Sequence, residues 1–336
     1  LKISTWFGVL EMGNSGEVLA SELFPIDIRE LALHSLSLRG SRQTLPPEGF
    51  DLKAAAIECR FVDSLSEYYS LLHEVTLETV KIQISGSLTP DQRIIQAVEA
   101  LDDINETTNS LSERLFEWYG GYFPESGLNG EALALFIVKY GSRENITPDD
   151  PLYLKARDSM GAKLEASDET LLKGFAKSVC SLYERRKQIE AYIESSMEVL
   201  APNLTRIAGP MLGARLISIA GSLEKLAAFP SSTIQVIGAS KALFKHLRDR
   251  APSPKHGVIY SHPFINTSPW WVRGKIARAL AAKLSLAARI DFYSGKIDPS
   301  LPEKLEEKVQ NIRASNPRPP QKRPESGAKP KKKRRK

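Results

Sequence analysis

The chain has 336 residues, 42% of them hydrophobic and 26% charged, with a formal net charge of +6. This composition belongs to a globular protein of two or three domains, not to a disordered or fibrous chain. No run of eighteen apolar residues occurs, which excludes an ordinary membrane-spanning helix; the start, at Leu1 with no methionine, lacks the charged leader and cleavage site of a signal peptide. The net charge conceals an asymmetry: residues 1–200 carry −13, residues 201–296 carry +11, and the segment from Arg313 onward carries +10. An acidic front joined to a basic back points the back half at a polyanion. Cys59 and Cys180, the only cysteines, make neither a disulfide framework nor a zinc site and read as small buried hydrophobes in a reducing compartment.

In chain order, TWFGVLEM and EVLASELF read as strands joined by a Gly13–Gly16 hairpin turn, followed by a helix over about 26–38. Pro46, Pro47 and Gly49 break the chain before a mostly helical stretch from Asp51 to Val75, and KIQIS (81–85) alternates like a short strand. Thr89 and Pro90 suit the cap and first turn of a long helix. Along it Leu101, Ile104, Thr108, Leu111, Leu115 and Trp118 step by three and four. A second seam runs through Leu172, Phe175, Val179, Leu182, Arg186, Ile189 and Ile193 on a helix over 168–200, about 50 Å long. A period of 3.5 predicts an antiparallel coiled coil within the chain, whose tip near 140–165 is left to pair with a second copy. Beyond residue 201 prolines cut the chain into short helices; 273–295 is the clearest, with Ile276, Leu280, Leu284 and Ala287 on one face. The tail NPRPPQKRPESGAKPKKKRRK cannot bury a core and reads as disordered.

Enzyme chemistry finds little support. His246, His256 and His262 have no Cys, Asp or Glu cluster beside them to complete a metal site, and Asp249 has no second carboxylate for acid–base work. The Gly13–Gly16 turn is not GxGxxG, Arg273-Gly274-Lys275 lacks the upstream glycine of a P-loop, and no GxSxG occurs. Nucleic-acid binding fits better. Lys241, Lys245, Arg248, Arg250, Lys255 and the series from Arg273 to Arg289 suit phosphates, while Tyr260, His262, Phe264, Trp270 and Trp271 offer flat surfaces for a base or, equally, core packing.

GASKALFKHL (238–247), HGVIYSHPFI (256–265) and RGKIARALAAKLSLAARID (273–291) resemble the signature of the Nop domain, and LSERLFEWYGGYFPE (111–125) resembles the coiled-coil signature of the same proteins. The resemblance is to the core proteins of box C/D small ribonucleoproteins, including archaeal members, and it covers the whole chain. It implies a mainly α protein in four parts: an α/β fibrillarin-binding domain (1–88), a coiled-coil dimerisation domain (89–202), an all-α Nop domain (203–312) and a disordered Lys/Arg-rich tail (313–336).

What the resemblance implies for function is a non-catalytic scaffold in an archaeal cytoplasm. It would hold fibrillarin, the S-adenosylmethionine-dependent 2′-O-methyltransferase, form a homodimer, and grip a kink-turn in the guide RNA together with a small ribosomal-type protein. The chain itself would carry no cofactor or metal. Gly238, Ala239 and Ser240 would lie against RNA and the small protein. Lys241 would meet a phosphate, and Ala242, Leu243 and Phe244 bases or protein. Lys245 stands where many relatives carry arginine, which turns a bidentate contact into a point charge. Ser240 replaces the glutamate of GAEK forms. His262 would stack or hydrogen-bond near the kink, and Arg273, Lys275 and Arg278 would follow the backbone. Two competing readings stay open: an architectural DNA-binding coiled-coil protein, and an RNA-modifying enzyme in its own right.

Overall fold

The structure, a computed structural model, describes residues 1–13, 17–38, 50–249 and 252–319. Among them it holds fifteen α-helices and one three-stranded sheet. The chain divides into two compact units, Leu1–Thr89 and Pro90–Lys336.

In the first unit β1 (Lys2–Thr5), β2 (Gly8–Met12) and β3 (Val18–Leu23) form an antiparallel sheet in the order β1-β2-β3. TWFGVLEM is therefore not one strand. The chain reverses at Trp6-Phe7, where the Thr5 hydroxyl donates to the Gly8 carbonyl (2.8 Å) and accepts from its amide (3.1 Å). Gly8 is required there, since a Cβ would stand 2.6 Å from the Glu22 carbonyl oxygen. Helix α1 (Ile28–Leu38) follows, then α2 (Leu52–Glu58) and α3 (Leu65–Ser87). Ser64 caps α3, its hydroxyl accepting from the Glu67 amide, and the Glu67 carboxylate reaches back past the cap to accept from the Asp63 amide. KIQIS is helical, the last turns of α3, and not a strand. A strand would set Ile82 and Ile84 on one face. The helix instead carries Val75, Thr79 and Ile82 onto the core around Phe7, Leu10, Leu31 and Phe61, and leaves Ile84 exposed.

The second unit opens with α4 (Pro90–Gly120), followed by α5 (Gly130–Tyr140), α6 (Tyr153–Arg157) and α7 (Ala166–Leu200). Leu101 shares a buried cluster with Ile193 and Met197, whereas Leu115 shares one with Leu172 and Ala176. Early α4 thus meets late α7, which makes the coiled coil antiparallel. Midway the seam turns polar: Thr108 is buried, and Ser112 shares a 3.2 Å hydrogen bond with the Tyr183 hydroxyl. At the far end α5 packs on α7, and the buried Tyr119 hydroxyl donates to the Gly141 carbonyl (2.8 Å).

Eight helices complete the unit: α8 (Pro202–Ala208), α9 (Pro210–Ala220), α10 (Leu223–Ala228), α11 (Ser231–Val236), α12 (Ser240–Asp249), α13 (Pro263–Asn266), α14 (Arg273–Tyr293) and α15 (Ser300–Ala314). The long α14 is the axis of this bundle; α8, α10, α11 and α15 pack around its buried Ile276, Leu280, Leu284 and Ala287. Asp291 is buried near its end, and its carboxylate accepts from the Asn203 and Leu204 amides (3.0 and 2.8 Å) and the Asn203 side-chain amide (2.6 Å). A carboxylate from α14 therefore caps the first turn of α8. The bundle is tied to the coiled coil through a bidentate Asp102–Arg215 ion pair, Gln92 donating to the Gly221 carbonyl, and Asp91 accepting from the Leu223 amide.

The tail boundary set at residue 313 is corrected: Arg313 and Ala314 end α15, and Arg313 donates to the Ser268 hydroxyl (3.0 Å). The lysine run beyond Pro319 and the turn at 14–16 lie outside the described residues.

Candidate nucleic-acid interface

Between α11 and the turn at Val258 the chain makes an excursion that carries α12. Three hydrogen bonds close its neck: the Gly257 amide to the Gln235 carbonyl (2.8 Å), the Val258 amide to the Ile237 carbonyl (2.8 Å), and the Gln235 side chain to the Lys255 carbonyl (2.7 Å). The crossing is so close that a Cβ on Gly257 would fall inside the Ile237 carbonyl oxygen. Gly238, with φ +81°, turns the chain out of the neck; its Cβ would meet Val258 at 3.3 Å.

No residue of α12 is buried. Lys241, Lys245 and Arg248 lie within 60° of one another around the helix, while Leu243, Phe244 and Leu247 form a second stripe about 120° away at ~100° per residue. Phe244 and Leu247 are 72% and 71% exposed. A helix that buries none of its residues, with Phe244 and Leu247 largely exposed and Leu243 half-buried, presents two chemistries outward, cationic and apolar. Ser240 opens α12, Ala242 is exposed on it, and Ala239 donates its amide to the Val236 carbonyl.

The returning limb of the neck lies against the start of α14, where Lys255 is 3.7 Å from the Cβ position of Gly274. A second group of exposed or half-exposed side chains gathers here. The His256 ring stacks on Tyr260 (centroids 4.7 Å apart, 20° between planes), and the Arg273 guanidinium lies over the same tyrosine at 5.4 Å. The Lys255 ammonium sits 5.6 Å over Trp270, which is 58% exposed. Arg273 is held by the Ser268 and Asn266 carbonyls (2.8 and 3.3 Å), and Lys275 and Arg278 are exposed on the following turns. Cations crowded at a helix N-terminus concentrate positive potential where the backbone already favours an anion. Burial, then the neighbouring Arg273 and Lys255 charges, pushes the His256 pKa below its ordinary value.

His262, expected from the sequence near the kink, belongs to neither group. It is 7% exposed. Its Nδ1 accepts from the Phe264 amide (3.1 Å), capping α13, so Nε2 carries the proton and donates to the Ile207 carbonyl (2.9 Å). Both nitrogens are spent inside the bundle, and burial lowers the pKa. Trp271 and Phe264 are partly buried against the core, which leaves Trp270 and Tyr260 as the exposed rings of the five flat side chains. The stacked His256–Tyr260 pair was not singled out from sequence; the i, i+4 spacing of two rings beside a basic helix is the signal that could have found it.

A family model described as "Nop: snoRNA binding domain, fibrillarin" matches residues 100–312, more than half of the chain. An uncharacterized NOP5 family protein of Methanocaldococcus jannaschii is 46% identical over 277 residues, 78% of this chain and 67% of that protein. Human nucleolar protein 56 is 39% identical over 66% of the chain, and nucleolar protein 58 of Botryotinia fuckeliana 38% over 61%. The chain covers only about two-fifths of these nucleolar proteins' own length. A crystal structure of a fibrillarin/Nop5p complex aligns with 93% of the chain at 27% identity and a TM-score of 0.45.

Proposed function

The chain belongs to the Nop family, and on that premise we propose that it is the non-catalytic scaffold of a box C/D guide ribonucleoprotein. Its bundle grips a kink-turn of the guide RNA jointly with a small kink-turn-binding protein. Its first unit holds a fibrillarin-type methyltransferase, which brings S-adenosylmethionine and performs guide-directed 2′-O-methylation. Two copies join through the coiled coil, and the particle works in an archaeal cytoplasm. No helix among the described residues is long and apolar enough to cross a membrane.

The observation that carries this reading is the unburied α12, stapled at its neck and presenting a basic stripe beside an apolar one. Backbone phosphates answer the first stripe and a protein surface the second, which suits a composite RNA–protein target better than bare duplex. Gly238–Lys245 is then the heart of the contact, with Arg273, Lys275, Arg278 and the His256–Tyr260 stack extending it. Reconstitution tests the scaffold role. Guide RNA, the small protein and the methyltransferase should methylate the guide-selected ribose only when this chain is present, and the chain alone should bind no S-adenosylmethionine. Guided methylation without it, or methyl transfer by the chain alone, would refute the reading.

A further inference from the structure

Between α14 and α15 lies a groove of about 400 Å³. Its floor is Ala279, Ala282 and Leu305, and Leu305 is only 2% exposed, so no large apolar side chain is on offer there. Lys283 stands on the α14 rim and Lys304 and Lys308 on the α15 rim, with Glu307 the single acid among the described lining residues. The lysines of the two helices share one neighbourhood. Asp298 is held below the usual carboxylate range by its hydrogen bonds to the Ser300 hydroxyl and amide (2.7 and 2.9 Å), and further by the Lys304 and Lys283 charges. That carboxylate is committed to the first turn of α15, and Lys304 itself donates to the neutral Ser300 hydroxyl (2.9 Å). Acids and bases are also segregated around α15. At ~100° per residue, Glu306 lies about 160° from both lysines and Glu303 about 100° or more from either.

We propose that this groove is a second phosphodiester site, which holds the backbone of the RNA segment leaving the kink-turn. The proposal rests on the RNA-holding reading above, and continuity with that surface supports it. Lys275, Ala279 and Lys283 follow one another at four-residue steps along α14, so Lys283 stands about 12 Å beyond Lys275, a span of a few nucleotides. At the near end the two helices are tied together. The Lys275 ammonium donates to the Asn316 side chain (2.5 Å), and the Trp271 indole to the Asn316 carbonyl (3.0 Å). RNA that meets Lys275 is therefore delivered to the end of the groove. The chemistry of the walls chooses the occupant. Lysines on both rims answer phosphates as point charges without reading sequence. A protein helix would need an apolar anchor pocket, which Ala279, Ala282 and the covered Leu305 do not supply.

Affinity of the full chain measured against salt, with the small kink-turn-binding protein bound, tests this on two RNAs. One is a minimal kink-turn; the other is the same kink-turn extended by one turn of duplex. With Lys283→Gln, Lys304→Gln and Lys308→Gln combined, the slope of log affinity against log salt should fall by about 2–3 on the extended RNA, the release expected from roughly three phosphates. On the minimal kink-turn it should stay unchanged, because at about 0.15 M salt exposed charges more than about 8 Å away are largely screened. Ala282→Glu, which sets a carboxylate in the groove, should weaken binding of the extended RNA alone. An unchanged slope on the extended RNA, or equal losses on both RNAs, would overturn the groove. So would unchanged RNA slopes accompanied by loss of the methyltransferase or the small protein from the assembled particle, which would make the groove a protein seat. Failure of the unaltered chain to bind the minimal kink-turn beside the small protein would overturn the RNA-holding reading instead.

Discussion

Gly257→Ala is the sharpest perturbation of the neck that presents α12. The added methyl would fall inside the Ile237 carbonyl oxygen and 2.7 Å from the Ile237 and Val236 carbonyl carbons, all backbone atoms that no rotamer change can move. The crossing must open, breaking the Gly257–Gln235 and Val258–Ile237 hydrogen bonds. At ~1 kcal/mol net for each, the closed neck loses about 2 kcal/mol, equivalent to roughly thirty-fold in affinity for a target that needs α12 held in place. Because α12 contributes no buried side chain, the bundle around α14 should survive, with near-ultraviolet circular dichroism little changed. Hydrogen exchange should show the amides of 257 and 258 losing protection ahead of those in α14. Gly274→Ala is the control: its Cβ meets Lys255 at an ordinary 3.7 Å, and alanine should be neutral or slightly stabilising in the helix. Unchanged affinity and unchanged protection in Gly257→Ala would refute the reasoning.

Asp291→Ala leaves the buried Asn203 and Leu204 amides at the start of α8 without an acceptor, while the Asn203 side-chain amide keeps the Lys296 carbonyl, and should cost about 3 kcal/mol in urea denaturation. His262 gives a pH signature. Its folded pKa lies below the unfolded value, so its contribution is complete above about pH 6.5 and is lost as pH falls through the lower folded value. His262→Gln should flatten the stability profile below about pH 6.5 and lower the melting temperature, with little effect on RNA affinity at a temperature where it is folded. Asp102 is likewise held below the usual carboxylate range by its hydrogen bond to Arg215, so that pair stabilises above about pH 4 and fades on acidification. With both side chains well over a quarter exposed, a double-mutant cycle should return a coupling of about 0.5–1 kcal/mol that declines with salt.

Much of the architecture is written in spacing. Seams such as Leu101–Leu115 and Leu172–Ile193 repeat over many turns, and a periodic apolar face has few alternatives to a paired helix. Short segments were less legible. KIQIS alternates locally but continues a helix nucleated at Ser64, seventeen residues earlier, and TWFGVLEM hides a reversal fixed by one threonine hydroxyl and one glycine. At the site, the cations of α12 and α14 were visible as composition, because charge needs no partner to be read. His262 was not, since its ring is claimed by the Ile207 carbonyl, 55 residues away in sequence. The neck escaped for the same reason: Gln235, Gly257 and Lys255 meet only after folding. Asp291, an acid within a stretch that carries +11, is a cap across 88 residues.

The most direct test of the composite surface is a gel-shift titration of the full chain on kink-turn RNA, with and without the small kink-turn-binding protein. Tight binding only when that protein is present, weakened by Lys241→Ala with a salt slope smaller by about 1, is the expected result. Equal affinity for duplex DNA and kink-turn RNA without the protein, indifferent to Lys241→Ala, would contradict it.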